Sequence, residues 1–269
     1  MDKISNNVYV QLGTRGSNNS FVVTKEGLVI IDTPMFPSDA QKWREAMAPF
    51  GTVRYILNTE PHGDHTNGNG YFEGTVIGHE GTRQAVLASD IQQYKQMLTQ
   101  MGPEPEAIPA DFKFKAPAIT FNSKLTFYLG EHTFQLMNLP GHSPHQSPVF
   151  VPEEGVLFTS DNVVSGTPPF MHQALPYDWV ESLKQMQKLG AKKLVPGHGT
   201  VCGPEYLAEM IDTIQGAIDA VKAALKKGIP LEEAKKEINL FPRFPKNERT
   251  LMMQNMGLIR LYEVLGKGK

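Results

Sequence analysis

Cysteine is nearly missing from this chain: a single residue, Cys202, stands among 269. That excludes an internal disulfide and any cysteine-built zinc framework, and it fits a reducing compartment. An excess of either charge is missing too, with 26 Lys and Arg against 28 Asp and Glu. No overall field therefore draws the protein to nucleic acid or to an anionic membrane, and a small molecule is the expected partner. No apolar run approaches the roughly 18 residues of a membrane span. The opening Met-Asp-Lys-Ile-Ser-Asn-Asn lacks the basic and apolar parts of a secretory signal, so a cytoplasmic location is the expectation. Tandem repeats and low-complexity segments are also missing.

What is present suits a globular protein: 40% hydrophobic and 20% charged residues, enough for a sizeable core in one large domain or two small ones. The first third alternates β-type runs with turn residues: Val8 to Leu12, Phe21 to Thr24, Leu28 to Ile31 and Val53 to Leu57. Between the last two, Ser38 and Gln41 have capping-box spacing ahead of a helical pattern reaching Phe50. A short strand at Thr75 to Ile77 precedes one long helix expected from Glu80 to Met101, ended by Gly102-Pro103-Glu104-Pro105. The middle of the chain repeats the β-rich theme at Ile119 to Phe121, Leu125 to Leu129, Thr133 to Asn138, Pro148 to Val151 and Val156 to Thr159. The last third reads as helical apart from a brief strand at Lys193 to Val195, with Ile211, Ile214, Ile218, Val221 and Leu225 at helical spacing. Its lysines lack interleaved aromatics and read as a solvated face.

Histidine is distributed unevenly. Five of the eight, His62, His65, His142, His145 and His198, follow apolar runs or sit between Gly and Pro, in "TEPHGDHTNG", "LPGHSPHQ" and "VPGHGT". A tight turn at a strand end fixes the backbone and leaves the imidazole exposed, as a metal ligand requires. Asp161, in "GVLFTSDNV", has the same placement. Imidazole nitrogen and carboxylate oxygen suit zinc and similar divalent ions, and two ions sharing a bridging carboxylate need six or seven ligands. Glu60, His62, Asp64, His65, His142, Asp161 and His198 make seven. His79 and His132 read as structural, the first opening a helix and the second in a hairpin turn. Cys202 reads as a packing residue.

Glu60-x-His62-x-Asp64-His65, then Gly141-His142, Leu157 to Asp161 and Pro196-Gly197-His198-Gly199, in that order, resemble the motifs of the metallo-β-lactamase superfamily of hydrolases. The resemblance implies an α/β fold, a four-layer αββα sandwich, over residues 1–226, with residues 227–269 as a helical extension packed on the same domain. It also implies that Glu60, His62 and His142 hold one metal, that Asp64, His65 and His198 hold a second, and that Asp161 bridges them. The departure is Glu60, where the family motif has histidine. Glu60 is expected to ligate; the alternative is a loop acid turned away from a weaker first site. As a ligand it brings a third carboxylate, which shifts preference from Zn²⁺ toward Mn²⁺ or Fe²⁺ and raises the pKa of metal-bound water.

The reaction this implies is hydrolysis, with a metal-bound hydroxide attacking the carbonyl of a neutral ester, lactone, thioester or lactam and Asp64 as the catalytic residue that orients or deprotonates the nucleophile. His145, His172 and Phe170 are the expected substrate-binding residues, the last two in the Pro-rich loop "GTPPFMHQALPYDWV". The alternative is a non-haem iron oxidoreductase on the same cage, similar to a sulfur dioxygenase. A flavin–diiron enzyme would need a flavin domain for which these residues leave no room. A metal-free binding protein would need several ligands missing, and nucleic-acid processing would need a basic cleft. The C-terminal helices and the turn "NLFPRFPKNE" either cap the cleft or form a homodimer contact.

Overall fold

Alternation of inward and outward side chains sorts the β-type runs into two sheets with different tasks on each face. The computed structural model describes residues 1–102 and 106–266. The first sheet has seven strands in chain order: β1 (Asp2–Lys3), β2 (Val8–Gln11), β3 (Asn19–Thr24), β4 (Gly27–Ile31), β5 (Val53–Leu57), β6 (Thr75–His79) and β7 (Ile119–Phe121). The second has five, ordered β12 (Lys193–His198), β11 (Val156–Val164), β10 (Val149–Val151), β9 (His132–Met137) and β8 (Lys124–Leu129). The α-helices are α1 (Pro37–Met47), α2 (Gly63–Thr66), α3 (Glu80–Leu87), α4 (Ile91–Met101), α5 (Pro176–Gln187), α6 (Tyr206–Lys226), α7 (Leu231–Glu237) and α8 (Glu248–Gly266).

Val22, Val29, Ile31 and Leu57 of the first sheet meet Phe134, Leu136, Val149 and Phe158 of the second, forming the core between the sheets. The next residue along each strand points the other way. Phe21, Leu28 and Ile30 pack beneath Ala40, Trp43 and Met47 of α1. Leu157 and Leu194 pack against Trp179 and Leu183 of α5 and Ile214, Ile218 and Val221 of α6. Two-sided burial explains why Phe21 to Val23, Leu28 to Ile31 and Val156 to Phe158 read as continuous apolar runs, each fully buried side chain contributing about 1.5–3 kcal/mol. The result is the αββα sandwich. Leu240, Phe241 and, from α8, Leu258 and Leu261 join the α5–α6 cluster, so the helices after residue 227 lie on that layer.

Three local expectations are corrected. The helix expected from Glu80 to Met101 is two helices, because Asp90 turns extended and its carboxylate accepts the N–H groups of Gln92 and Gln93 as the cap of α4. Gly102 follows α4, and Pro103 to Pro105 lie outside the described residues. Ser38 caps nothing: Pro37 opens α1, and the Ser38 hydroxyl donates to Glu106 Oε1 at 2.8 Å. β11 runs through Asp161 to Val164 instead of stopping at Thr159, with register shifts on either side of Ser160, which has φ 53°.

Strand direction gathers the chemistry at one edge. β4 and β5 are parallel, so the residues after Ile31 and Leu57 emerge side by side. β11 and β12 are also parallel, and their pairing places Val164 opposite His198. The β9–β10 connection adds His142 from the same end.

Candidate metal centre

Each of the seven residues is delivered by a different local device. Glu60 lies in the turn after β5, His62 immediately precedes α2, and Asp64 and His65 sit within that single helical turn. His142 comes from the β9–β10 loop, Asp161 from the irregular stretch of β11, and His198 from the last position of β12. The glycine before each of the two histidines His142 and His198 is required by space. A Cβ at Gly197 would collide with Asp161 Oδ1, and one at Gly141 with Asn162 Oδ1 and the Trp179 ring.

These turns bring all seven together. Glu60 Oε2 lies 2.5 Å from His62 Nδ1 and 3.8 Å from His142 Nε2. Glu60 Oε1 lies 3.1 Å from His65 Nε2. His198 Nε2 is 3.1 Å from Asp64 Oδ2 and 3.4 Å from Asp161 Oδ2, and Asp161 Oδ1 is 3.4 Å from His65 Nε2. Three trios each have ligand atoms within 4.8 Å of one another: Glu60, His62 and His142; Asp64, His65 and His198; Glu60, His65 and Asp161. Glu60 is fully buried and does not turn away; its two oxygens face different trios.

The site's charges lean on one another. Burial disfavours the charge of Glu60, but His65, His62 and His142 hold its carboxyl below the ordinary range against opposition from Asp161. Burial likewise opposes the imidazolium of His62, and Glu60 outweighs it and raises that ring to about 9. His198 is raised to about 10 by Asp161 and Asp64, again over a burial penalty. Asp64 and Asp161 are held low by His65 and His198 despite their burial.

The donor set fits a divalent metal, and a direct observation supports the fit. Glu60 Oε2, His65 Nε2 and Asp161 Oδ1 are sealed from solvent without a hydrogen bond. Buried polar atoms in that condition cost stability, and a cation among them would satisfy all three. The surrounding hydrogen bonds orient the rings. His65 Nδ1 lies 2.8 Å from Asp32 Oδ2, which also accepts from the Thr59 hydroxyl. His142 Nδ1 donates to the Phe170 carbonyl at 2.6 Å, leaving Nε2 toward the trio. Asn162 Oδ1 accepts the His142 backbone N–H, and Ser160 Oγ donates to Glu60 Oε1. The sequence reading missed Asp32, Ser160 and Asn162. The one available signal for Asp32 was an acid directly after the apolar strand "LVII".

Residues 12–198 match the family model described as the metallo-beta-lactamase superfamily. The chain belongs to that superfamily. Among its relatives, the linear primary-alkylsulfatase of Pseudomonas sp. (strain ATCC 19151) is 24% identical over 263 residues, covering 81% of this chain and 49% of that protein. The atrochrysone carboxyl ACP thioesterase of Aspergillus novofumigatus is 28% identical over 227 residues, covering 80% of this chain and 60% of that protein. The chain therefore spans only about half to 60% of the length of these two relatives. A metallo-beta-lactamase family protein from Thermus thermophilus superposes with a TM-score of 0.70 at 17% identity, covering 98% of this chain and 95% of that one, which shows the shared fold. The alkylsulfatase and the thioesterase are hydrolases, and this chain carries candidate ligands for divalent ions.

The remaining expected residues divide. His172 is exposed, with its ring 5.2 Å from that of His62 and 5.6 Å from that of His142. Partial desolvation of the ring side facing the cluster, with the neighbouring His142 and His62, lowers it to about 4. Phe170 is half-buried beside it. His145 is drawn elsewhere: its ring stacks on His79 at 4.8 Å and touches Gly81. His79 caps α3 by accepting the Gly81 N–H. His132 binds Glu154 Oε1 at 2.9 Å. Cys202 pairs its backbone with Leu194, and burial pushes its thiol up to about 12.

Proposed function

We propose that this superfamily member hydrolyses the acyl C–O, C–S or C–N bond at the neutral carbonyl of a small ester, lactone, thioester or lactam, using two divalent metal ions. The observation carrying this reading is the set of three ligand trios linked by Glu60 and His65, each of which has a buried atom without a hydrogen bond. Glu60, His62 and His142 would hold one ion, Asp64, His65 and His198 the other, and Asp161 would serve both. When bound, such ions supply Lewis-acid polarisation and an activated water.

The chain's own groups do the rest. Asp64 is the carboxylate of the cluster with most access to solvent, its side chain 26% exposed, and its Oδ2 can hold a proton released during attack. The Asp32–His65 and Phe170–His142 contacts keep the acceptor nitrogens aimed inward, so little rearrangement precedes reaction. His172 and Phe170 form a wall beside His62 and His142, where the reacting end of a substrate would rest. Three carboxylates with four imidazoles make a harder donor set that favours Mn²⁺ or Fe²⁺ more than an imidazole-richer cage does.

The test is elemental analysis of protein purified without added metal, followed by turnover assays with Zn, Mn or Fe restored. The substrates are a small ester, lactone, thioester, lactam and alkyl sulfate. Metal near two equivalents and cleavage of a carbonyl substrate are expected. Protein without metal that stays inactive after all three restorations would overturn the reading. Cleavage of the alkyl sulfate alone would replace it with sulfate-ester hydrolysis, and oxygen uptake with bound iron would replace it with redox chemistry.

A further inference from the structure

A pocket of about 610 Å³ opens beside His198, and neither His172 nor Phe170 lines it. Four separated segments build it: the β2–β3 loop with Asn18, the loop after β11 with Ser165 and Thr167, the end of β12, and the approach to α8 with Phe244 and Arg249. No Asp, Glu or Lys lines it among the described residues, and Arg249 is its one Arg.

The polar groups of the wall are mostly engaged with one another. Asn18 Nδ2 donates to the carbonyls of Pro196 and Gly199, Ser165 Oγ contacts Thr200 Oγ1, and Thr167 Oγ1 reaches Met253 Sδ. Arg249 is different. It is exposed and makes no ion pair among the described residues, whereas Arg243 in the preceding turn holds Glu209 and Arg260 on the same helix holds Glu263. It sits in the first turn of the 19-residue α8, whose positive end adds to its field, and Asn247 caps that turn through the Thr250 N–H. The lining therefore has an apolar side chain, Phe244, along the wall and one guanidinium without an ion pair, next to Glu248 in the same helical turn, and it reaches a candidate metal-ligand histidine.

We propose that this pocket holds the body of the substrate and that Arg249 recognises a carboxylate at its far end. The substrate class is then an ester or thioester of a chain that terminates in a carboxylate. The reaction in this statement rests on the hydrolytic reading above; the anion site does not. The carboxylate stays remote from the three cage carboxylates, and the scissile carbonyl stays neutral. A guanidinium suits this task because its planar fork meets both carboxylate oxygens.

The experiment compares mono-(4-nitrophenyl) adipate with its uncharged methyl-capped counterpart, using metal-loaded protein and background-corrected rates. The charged ester is expected to be preferred by about tenfold in kcat/KM, with the gain in KM, and the preference should shrink with salt. Arg249→Gln should bring the ratio toward one, and Arg249→Lys should restore part of it. Calorimetry with adipate itself reads the site without turnover, and binding should weaken about tenfold in Arg249→Gln. Equal use of both esters, or adipate binding indifferent to Arg249→Gln, would overturn the anion site even if hydrolysis stands. Failure to cleave either ester while adipate still binds through Arg249 would instead count against the hydrolytic reading.

Discussion

Glu154 and Glu60 both face histidine, and they end in opposite conditions. Glu154 accepts the backbone and side-chain N–H groups of Asn7 and lies 2.9 Å from His132 Nε2, so both of its oxygens are satisfied. Burial opposes its charge, yet His132 and Asn7 hold its carboxyl down at about 2. Glu60 faces three imidazoles and another carboxylate, and its Oε2 is left without a hydrogen bond. The difference separates a lock from a site. Where the chain supplies every partner, the pair stabilises the fold, and where it leaves gaps among converging carboxylates and imidazoles, the group has the donor set of a candidate metal site.

The largest effect should come from Glu60. Glu60→Gln is expected to lose about one metal equivalent and roughly a hundredfold in turnover, whereas Glu60→His regains metal with a higher zinc share. Elemental analysis beside turnover measures both, and unchanged metal and rate would make the acid a bystander. Asp32→Asn should be milder, since it removes only the anion that orients His65. About a tenfold loss of metal affinity is expected in a chelator competition.

The smallest effect sharpens the contrast from the other side. Glu154→Gln should destabilise the fold by about 2 kcal/mol at neutral pH and leave metal content unchanged. A depressed acid contributes its stability above its unfolded pKa and loses it as pH falls through the folded one. The gap between Glu154→Gln and the parent should therefore be full at pH 7 and close between about pH 4.5 and 2. Chemical denaturation at several pH values measures it, and a gap independent of pH would remove the charge from the account.

Much of this was legible along the chain because the ligand motifs are local. Glu60, His62, Asp64 and His65 lie within six positions, and His142, Asp161 and His198 each come shortly after an apolar run in the sequence. Asp32 was hidden because its value lies in His65, 33 residues away. His145 carried the same local pattern as His142, yet the loop turned its ring onto His79. Ser38 had capping spacing, but Pro37 already supplied the helix entry and Glu106 claimed the hydroxyl. The break at Asp90 carried its own cap signal and was readable.

The sequence by itself determined the ligand types, their order and the layers that hold them, because periodicity and turn chemistry act between near neighbours. Only the tertiary structure decided that Glu60 points inward with one oxygen on each side, and that Arg249 faces the same cleft as His198. Those outcomes depend on which strands run parallel and on where the last helix packs, and they join residues as far apart as Asn18 and Arg249.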